Sequence, residues 1–494
     1  MPKISASSRS KLKEYVTLFG SEIFSTDGKV LLCKICEREV KADKKFLVVQ
    51  HVKGAKHTAL VEKKAQVASS SVSQLKPFLE AAGKQSQFTL DLCDAFVSAD
   101  IPLYKLDNPK LRSFFEKYKH PIPCSATVRL NYLKIAYESR LDYIRNYVGD
   151  KQIWVSSDET TDATGRFVAH IIVGTLESVE SKSFLLHAEC LEKTNSATIS
   201  QCFMTALTVL WPSGVKHDRV LLFVTDGANY MKAAGKALKV LFPRMLHVTC
   251  VAHGLHRVTE KIRALFSNVD ELISNGKKVF LKAAARKAIF RELAPGIPLP
   301  PQPVISRWGT WLKAAAYYAE HLDTFSSVVR SLDKKEAESI KKVQRILELE
   351  SLRGNLAFID AHFRRIPQVI EQLEERNASL IESTDRFEEL LTELKNTPGP
   401  NGVKVRKKCD YVLSHNPDYH QIKTIREILR GASPTARVGD LQPSEVSSFK
   451  FAPIVSADAE RSFSILKQTL SDRRHRFTFD NLKMVVVVHC NQVS

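Results

Sequence analysis

The chain has 494 residues, 44% hydrophobic and 26% charged, an ordinary globular balance with room for about two to four domains. Its 73 Lys and Arg against 54 Asp and Glu leave a formal net charge of +19, which favours a polyanionic partner through long-range attraction and counterion release; a basic protein without such a partner is the competing reading. No apolar run approaches the ~18 residues of a membrane span, Met1 to Tyr15 lacks an apolar signal core, and nine scattered cysteines, an odd number, argue against a secreted disulfide framework. A nuclear location is the simplest expectation.

Residues 1–67 read as a basic unit. Cys33-x-x-Cys36 followed by His51 and His57 has the order, and nearly the spacing, of a Cys2His2 zinc site. Two thiolates on a knuckle and two imidazoles further on can close a tetrahedron around Zn²⁺. The metal then supplies folding energy that so short a segment lacks. The gap between His51 and His57 is at the long end of the usual range and predicts a kinked or looping helix end. Lys41, Lys44, Lys45, Lys53 and Lys56 suit phosphate contacts, or simply form a solvated face. Ala68 to Ser73 has linker composition. Residues 74–148 turn helical, with Phe88, Leu90, Leu92, Cys93 and Phe96 as a candidate face and Pro102, Pro109, Pro121 and Pro123 as punctuation.

Residues 149–258 bring strands. Gln152 to Ser157 reads as a strand ending in Asp158. Phe167 to Thr175 and Ser183 to Cys190 follow as strands joined by short, hence antiparallel, connections. Asn195 to Leu210 reads as a helix capped by Thr194 or Asn195. Val220 to Val224 is an apolar strand leading to Asp226 and the turn residue Gly227. A carboxylate at that place points into the crevice where open α/β sheets bind ligands. A helix (Tyr230 to Leu241) and a strand (Met245 to Val251) lead into Cys250-x-x-His253 and His256. The order β-β-β-α-β-α-β, with acids ending the first and fourth strands, is the layout of an RNase H-like core.

Residues 259–445 are mostly helical, an all-α insertion broken by Pro295 to Pro303, with loops expected at Asn396 to Gly402 and Gly431 to Pro443. Arg307 and Trp308 follow the proline run, and Trp308 alone reads as core. In 446–494, Ser456 is the expected cap of a helix carrying Glu460. A basic turn, Arg473 to Arg476, precedes a closing helix or strand, Asn481 to Cys490.

Taken together, Asp158, Asp226 and Glu460 can hold two divalent ions for phosphodiester cleavage, and hard oxygen ligands select Mg²⁺ or Mn²⁺. Three unrelated acids are the plain alternative. The same residues resemble the hAT superfamily of DNA transposases. Asp158 in Ser-Asp-Glu-Thr-Thr-Asp, Asp226 in Thr-Asp-Gly-Ala-Asn and Glu460 in Ser-Ala-Asp-Ala-Glu-Arg-Ser-Phe-Ser match its catalytic acids. Cys250 and His253 match its (Cys/Asp)-x-x-His motif, and Arg307-Trp308 its Arg-Trp motif. The resemblance implies that Trp308 stabilises an extruded base, that the helical stretch is inserted into an RNase H-like core, and that the chain dimerises through its C-terminal region. It further implies cut-and-paste transposition on double-stranded DNA, with hairpins formed on the flanking DNA. The first ~140 residues also resemble the CGG-triplet-repeat-binding group, through Tyr15-Val16, Phe19-Gly20, the finger ligands and Ala99 to Leu103. The finger is BED-like but lacks that type's N-terminal Trp. Two rivals remain: a domesticated DNA-binding regulator that does not cleave, and a nuclease on the same core.

Overall fold

Six consecutive buried residues, Ile153 to Asp158, begin strand β4 (Ile153–Thr161), the middle strand of a five-stranded mixed sheet in a computed structural model of the chain. The structure describes residues 6–20, 23–26, 30–36, 38–59, 84–304, 309–433, 435–470 and 477–492. The linker Ala68 to Ser73, the pair Arg307-Trp308 and the basic turn Arg473 to Arg476 lie outside the described residues. The chain divides into two compact units, residues 1–248 with 427–494, and residues 249–426.

In the first unit the sheet order is β6-β5-β4-β7-β8, with β5 at Phe167–Thr175, β6 at Ser183–Leu191, β7 at Val220–Thr225 and β8 at Leu246–Thr249. Short connections force the first three strands to run antiparallel, Ile153 facing Thr175 and Thr161 facing Phe167. The helix Ser196–Leu210 then allows β7 to return parallel to β4. Its N-terminus is closed by a reciprocal box between Asn195 and Thr198, so Asn195, rather than Thr194, is the cap. Helices lie against the sheet, Ser196–Leu210 on β5 and β6, Ala457–Thr469 on β4 and β5, and Phe479–Cys490 on β6. Strands covered in this way read as apolar runs rather than alternations. The closing segment, left open between helix and strand by sequence, is a helix.

One cross-strand pair explains a glycine in the centre of the sheet. Gly174 faces Trp154, and a Cβ there would meet the indole ring at 2.5 Å. On the sheet edge, the Asn491 amide donates to the Leu185 carbonyl (2.8 Å) and accepts its N–H (2.9 Å), filling the place of a further strand at that residue. At the N-terminus a three-stranded sheet, β1 (Phe24–Thr26), β2 (Leu31–Cys33) and β3 (Arg38–Val40), packs with the helices Ala6–Phe19 and Lys45–Val52 around Leu12, Tyr15, Phe24, Leu31 and Val48.

The regular elements described between residues 250 and 426 are all helices. Trp311 is buried there, and its indole N–H donates to Asp270 (3.0 Å), which also holds Arg263 (2.6 Å). The loop expected at Asn396 to Gly402 is corrected, because the helix Gly399–Ser414 begins inside it. Pro400 stands in the first turn, where its missing N–H costs nothing. Gly402 is needed because a Cβ would meet the Thr397 carbonyl oxygen at 2.0 Å.

Candidate metal centres

The finger ligands converge. Cys33, Cys36, His51 and His57 each offer an atom, and these atoms lie within 4.8 Å of one another. His57 Nδ1 is 3.5 Å from Cys33 Sγ and 3.3 Å from Cys36 Sγ. A tetrahedral zinc with bonds of about 2.3 Å to sulfur and 2.0 Å to nitrogen sets an S···N edge of about 3.5 Å, so the donors already stand at the required separation. The expected break between the histidines is real. The helix Lys45–Val52 ends at Lys53 and Gly54, and a further helical turn starting at Ala55 carries His57. The N–H groups of Gly54 and His57 donate to the carbonyls of His51 (3.1 Å) and Gly54 (2.9 Å), so the chain turns once and brings both imidazoles to one side, their ring centroids 5.1 Å apart. Burial pushes the Cys33 thiol up from its ordinary pKa. The donor set fits Zn²⁺, which would hold both sulfurs as thiolates.

Around the acids, β4 runs on past the end expected from the sequence, and Asp158 pairs with His170 on its antiparallel side. On its parallel side the register stops at Ser157 facing Thr225. Asp158 and Asp226 therefore follow the last paired residues of two adjacent strands, about 4.8 Å apart in the sheet. Asp158 is buried. Its carboxylate accepts the N–H of Glu159 (2.9 Å) and the hydroxyl of Ser456 (3.4 Å). That second bond corrects the expected helix cap: Ser456 occupies the N-cap position of Ala457–Thr469, but its side chain makes no cap bond and reaches Asp158 instead. One turn on, a Glu460 carboxylate oxygen lies within 4.8 Å of one from Asp158. Among the described residues, no metal-type grouping that contains this pair includes Asp226. The Asp226 carboxylate accepts the N–H of Ala228 (3.0 Å).

Neighbouring groups hold these acids in place. Thr225 donates its hydroxyl to the Asp226 carbonyl (2.8 Å), so the remaining hydrogen in its contact with His247 Nε2 (2.9 Å) belongs to the imidazole. His247 in turn fills the space that Gly235 leaves, where a Cβ would meet the ring at 2.2 Å. Tyr230 donates its hydroxyl to Glu159, tying the turn after β7 to β4. The sequence had marked none of Tyr230, His247 or Ser456 as functional, since each acts through a partner distant in the chain. Cys250 and His253 belong to the second unit, at the N-cap and first turn of the helix Val251–Leu265, with Cys250 buried.

A second grouping that the sequence did not signal joins His187 and Glu189 of β6 to Cys202 of the helix Ser196–Leu210, again within 4.8 Å. Burial pushes the Cys202 thiol well up and keeps His187 neutral by lowering its pKa. Glu189 is held below its usual range first by its bond to His187, and Lys483 acts on all three groups. A resident ammonium therefore supplies the positive charge here.

Residues 126–279 match the family described as Domain of unknown function (DUF659), a family found in hAT-like transposase-related proteins. Residues 80–135 match the CGGBP1 helical domain. The chain is 29% identical over 151 residues to CGG triplet repeat-binding protein 1 of Mus musculus, covering 27% of this chain and 88% of that protein. It is 28% identical over 151 residues to the Homo sapiens protein of the same name, with the same coverage. The similarity thus spans nearly all of that small protein and about a quarter of this chain.

Proposed function

We propose that the chain is a hAT-type cut-and-paste DNA transposase on an RNase H-like core. The zinc finger (1–67) and helical domain (74–148) bind transposon ends. The core (149–258 and 446–494) is interrupted by the helical insertion (259–445), and the protein acts in the nucleus as a dimer or larger homo-oligomer. The observation that carries this reading is the approach of the Asp158 and Glu460 carboxylates, from a strand and a helix far apart in the chain, to within 4.8 Å. Two carboxylates so close repel, and a cation or a shared proton relieves the repulsion. The strand order, with three antiparallel strands followed by β7 parallel to β4 and Asp226 at the end of that strand, supports the core assignment.

In this reading Asp158, Asp226 and Glu460 supply hard oxygen ligands for Mg²⁺ or Mn²⁺. Ions held there would supply Lewis-acid chemistry to the attacking and leaving oxygens of a phosphodiester. Ser456 and the Glu159 N–H fix the Asp158 carboxylate, and the Ala228 N–H fixes Asp226. By resemblance Trp308 is assigned to the extruded base, Arg307 to the same Arg-Trp motif, and Cys250 with His253 to a structural motif. The Asp226→Asn variant is expected to keep end binding and lose nicking and excision of a supercoiled plasmid carrying the element's terminal repeats. Undiminished cleavage by that variant in Mg²⁺ would remove the assignment.

The similarity to CGG triplet repeat-binding protein 1 favours a second reading, a DNA-binding regulator that retains the scaffold without cleaving. Binding without excision by the wild-type chain selects it. Cleavage without strand transfer selects a plain nuclease.

A further inference from the structure

The first unit contains a cavity of about 670 Å³ that none of the chemistry above uses. It lies where the helical segment after residue 84 meets the end of the chain, and its size is that of a small-molecule or cofactor site. Val97, Leu103, Leu133 and Val485 give it an apolar wall. Its polar lining comes from Asp100, Arg129, Thr469, Thr478 and Asn481, one carboxylate and one guanidinium among neutral hydrogen-bonding groups.

Three observations indicate what it takes. Thr469 is 1% exposed, and its hydroxyl has no hydrogen-bond partner among the described residues, an arrangement that folded proteins rarely keep. Arg129 forms no ion pair among the described residues, and Thr478 caps the twelve-residue helix Phe479–Cys490 through the Asn481 N–H, so the lining combines a guanidinium with the positive end of a helix. Two aromatic rings, Tyr104 and Phe477, stand at the lining, and Tyr104 is half exposed. An apolar slot with aromatic edges, hydrogen-bonding groups and an anion-binding rim matches a base, a sugar and a phosphate.

The cavity is also tied to the acids. The Arg166 guanidinium binds Asp162 just beyond β4 (2.7 Å), donates to the Phe477 carbonyl (3.5 Å) and lies 5.7 Å from the centre of the Phe479 ring. Asp162 is four positions past Asp158, about 13 Å along an extended strand.

We propose that this cavity is a nucleotide pocket. It holds one nucleoside monophosphate unit of a DNA strand, with the base on the apolar wall and the phosphate at the rim of Arg129 and Thr478. The proposal rests on the reading of the chain as a DNA-handling protein, and it adds a second point of grip for a strand whose neighbouring phosphates pass the acids.

The test uses the zinc-loaded full chain and 2-aminopurine, whose emission changes when it leaves a base stack. One arm offers a duplex with a single bulged 2-aminopurine, a second the same duplex fully paired, and a third the free 2-aminopurine deoxynucleoside monophosphate. The bulged duplex should give a saturable change that the paired duplex lacks. Arg129→Gln should weaken that response about tenfold or more, and by much more than it weakens binding of the paired duplex. Thr469→Val, which keeps the side-chain shape, should weaken it in the same sense. Asp226→Asn should keep the full response, so failure of the pocket and failure of the cleavage assignment are read separately. A response from the free nucleotide alone, lost in both variants, overturns DNA as the source. Equal behaviour of bulged and paired duplexes, or a response unchanged in both variants, overturns the pocket.

Discussion

The imidazole of His170 is sealed against protons. The Ser462 hydroxyl donates to the Ala459 carbonyl (2.6 Å), so the hydrogen in its 2.7 Å contact with His170 belongs to Nδ1. Nε2 is buried without a hydrogen-bond partner among the described residues, and burial lowers the pKa from 6.5 to about 3. The unfolded chain takes up a proton below pH 6.5 that the native state refuses until about pH 3. The stability contribution is therefore complete above pH 6.5 and lost as pH falls. Between pH 7 and pH 5 the loss is about 2 kcal/mol, visible as a falling urea midpoint that a His170→Gln variant should flatten. Gly174 offers a test of packing: Gly174→Ala drives a methyl group into the Trp154 ring and should cost about 1–3 kcal/mol in the same titration.

At the level of elements, the finger is the clearest case of a site readable from sequence. Its four ligands fall within one short segment, and the long gap between histidines foretold the break at Lys53 and Gly54. The N-terminal segment is expected to bind one equivalent of zinc, and chelation should abolish its helical circular dichroism; structure that survives chelation would remove the four ligands from the metal. The strands were legible because covered sheets concentrate β-branched and large apolar residues in short runs. Other features were hidden for the opposite reason. Ser456 reads as a cap because its local pattern is a cap pattern, yet its hydroxyl is claimed by Asp158, 298 positions away. The Thr469 cavity likewise arises only when distant segments meet, and no local spacing encodes it.

At the scale of the molecule, residues 427–494 complete the unit begun by residues 1–248, while 249–426 form a unit of their own. The approach of Asp158 to Glu460 is thus a product of global folding, and neither half of the first unit can make it alone. The same return of the chain brings Asn491 to the border of the sheet, where its amide satisfies both main-chain groups of Leu185. A lone border strand is a template onto which a neighbouring molecule can zip by main-chain pairing, the usual first step toward fibrous association. Here one side chain occupies that template near its start, so strand addition is blocked at Leu185.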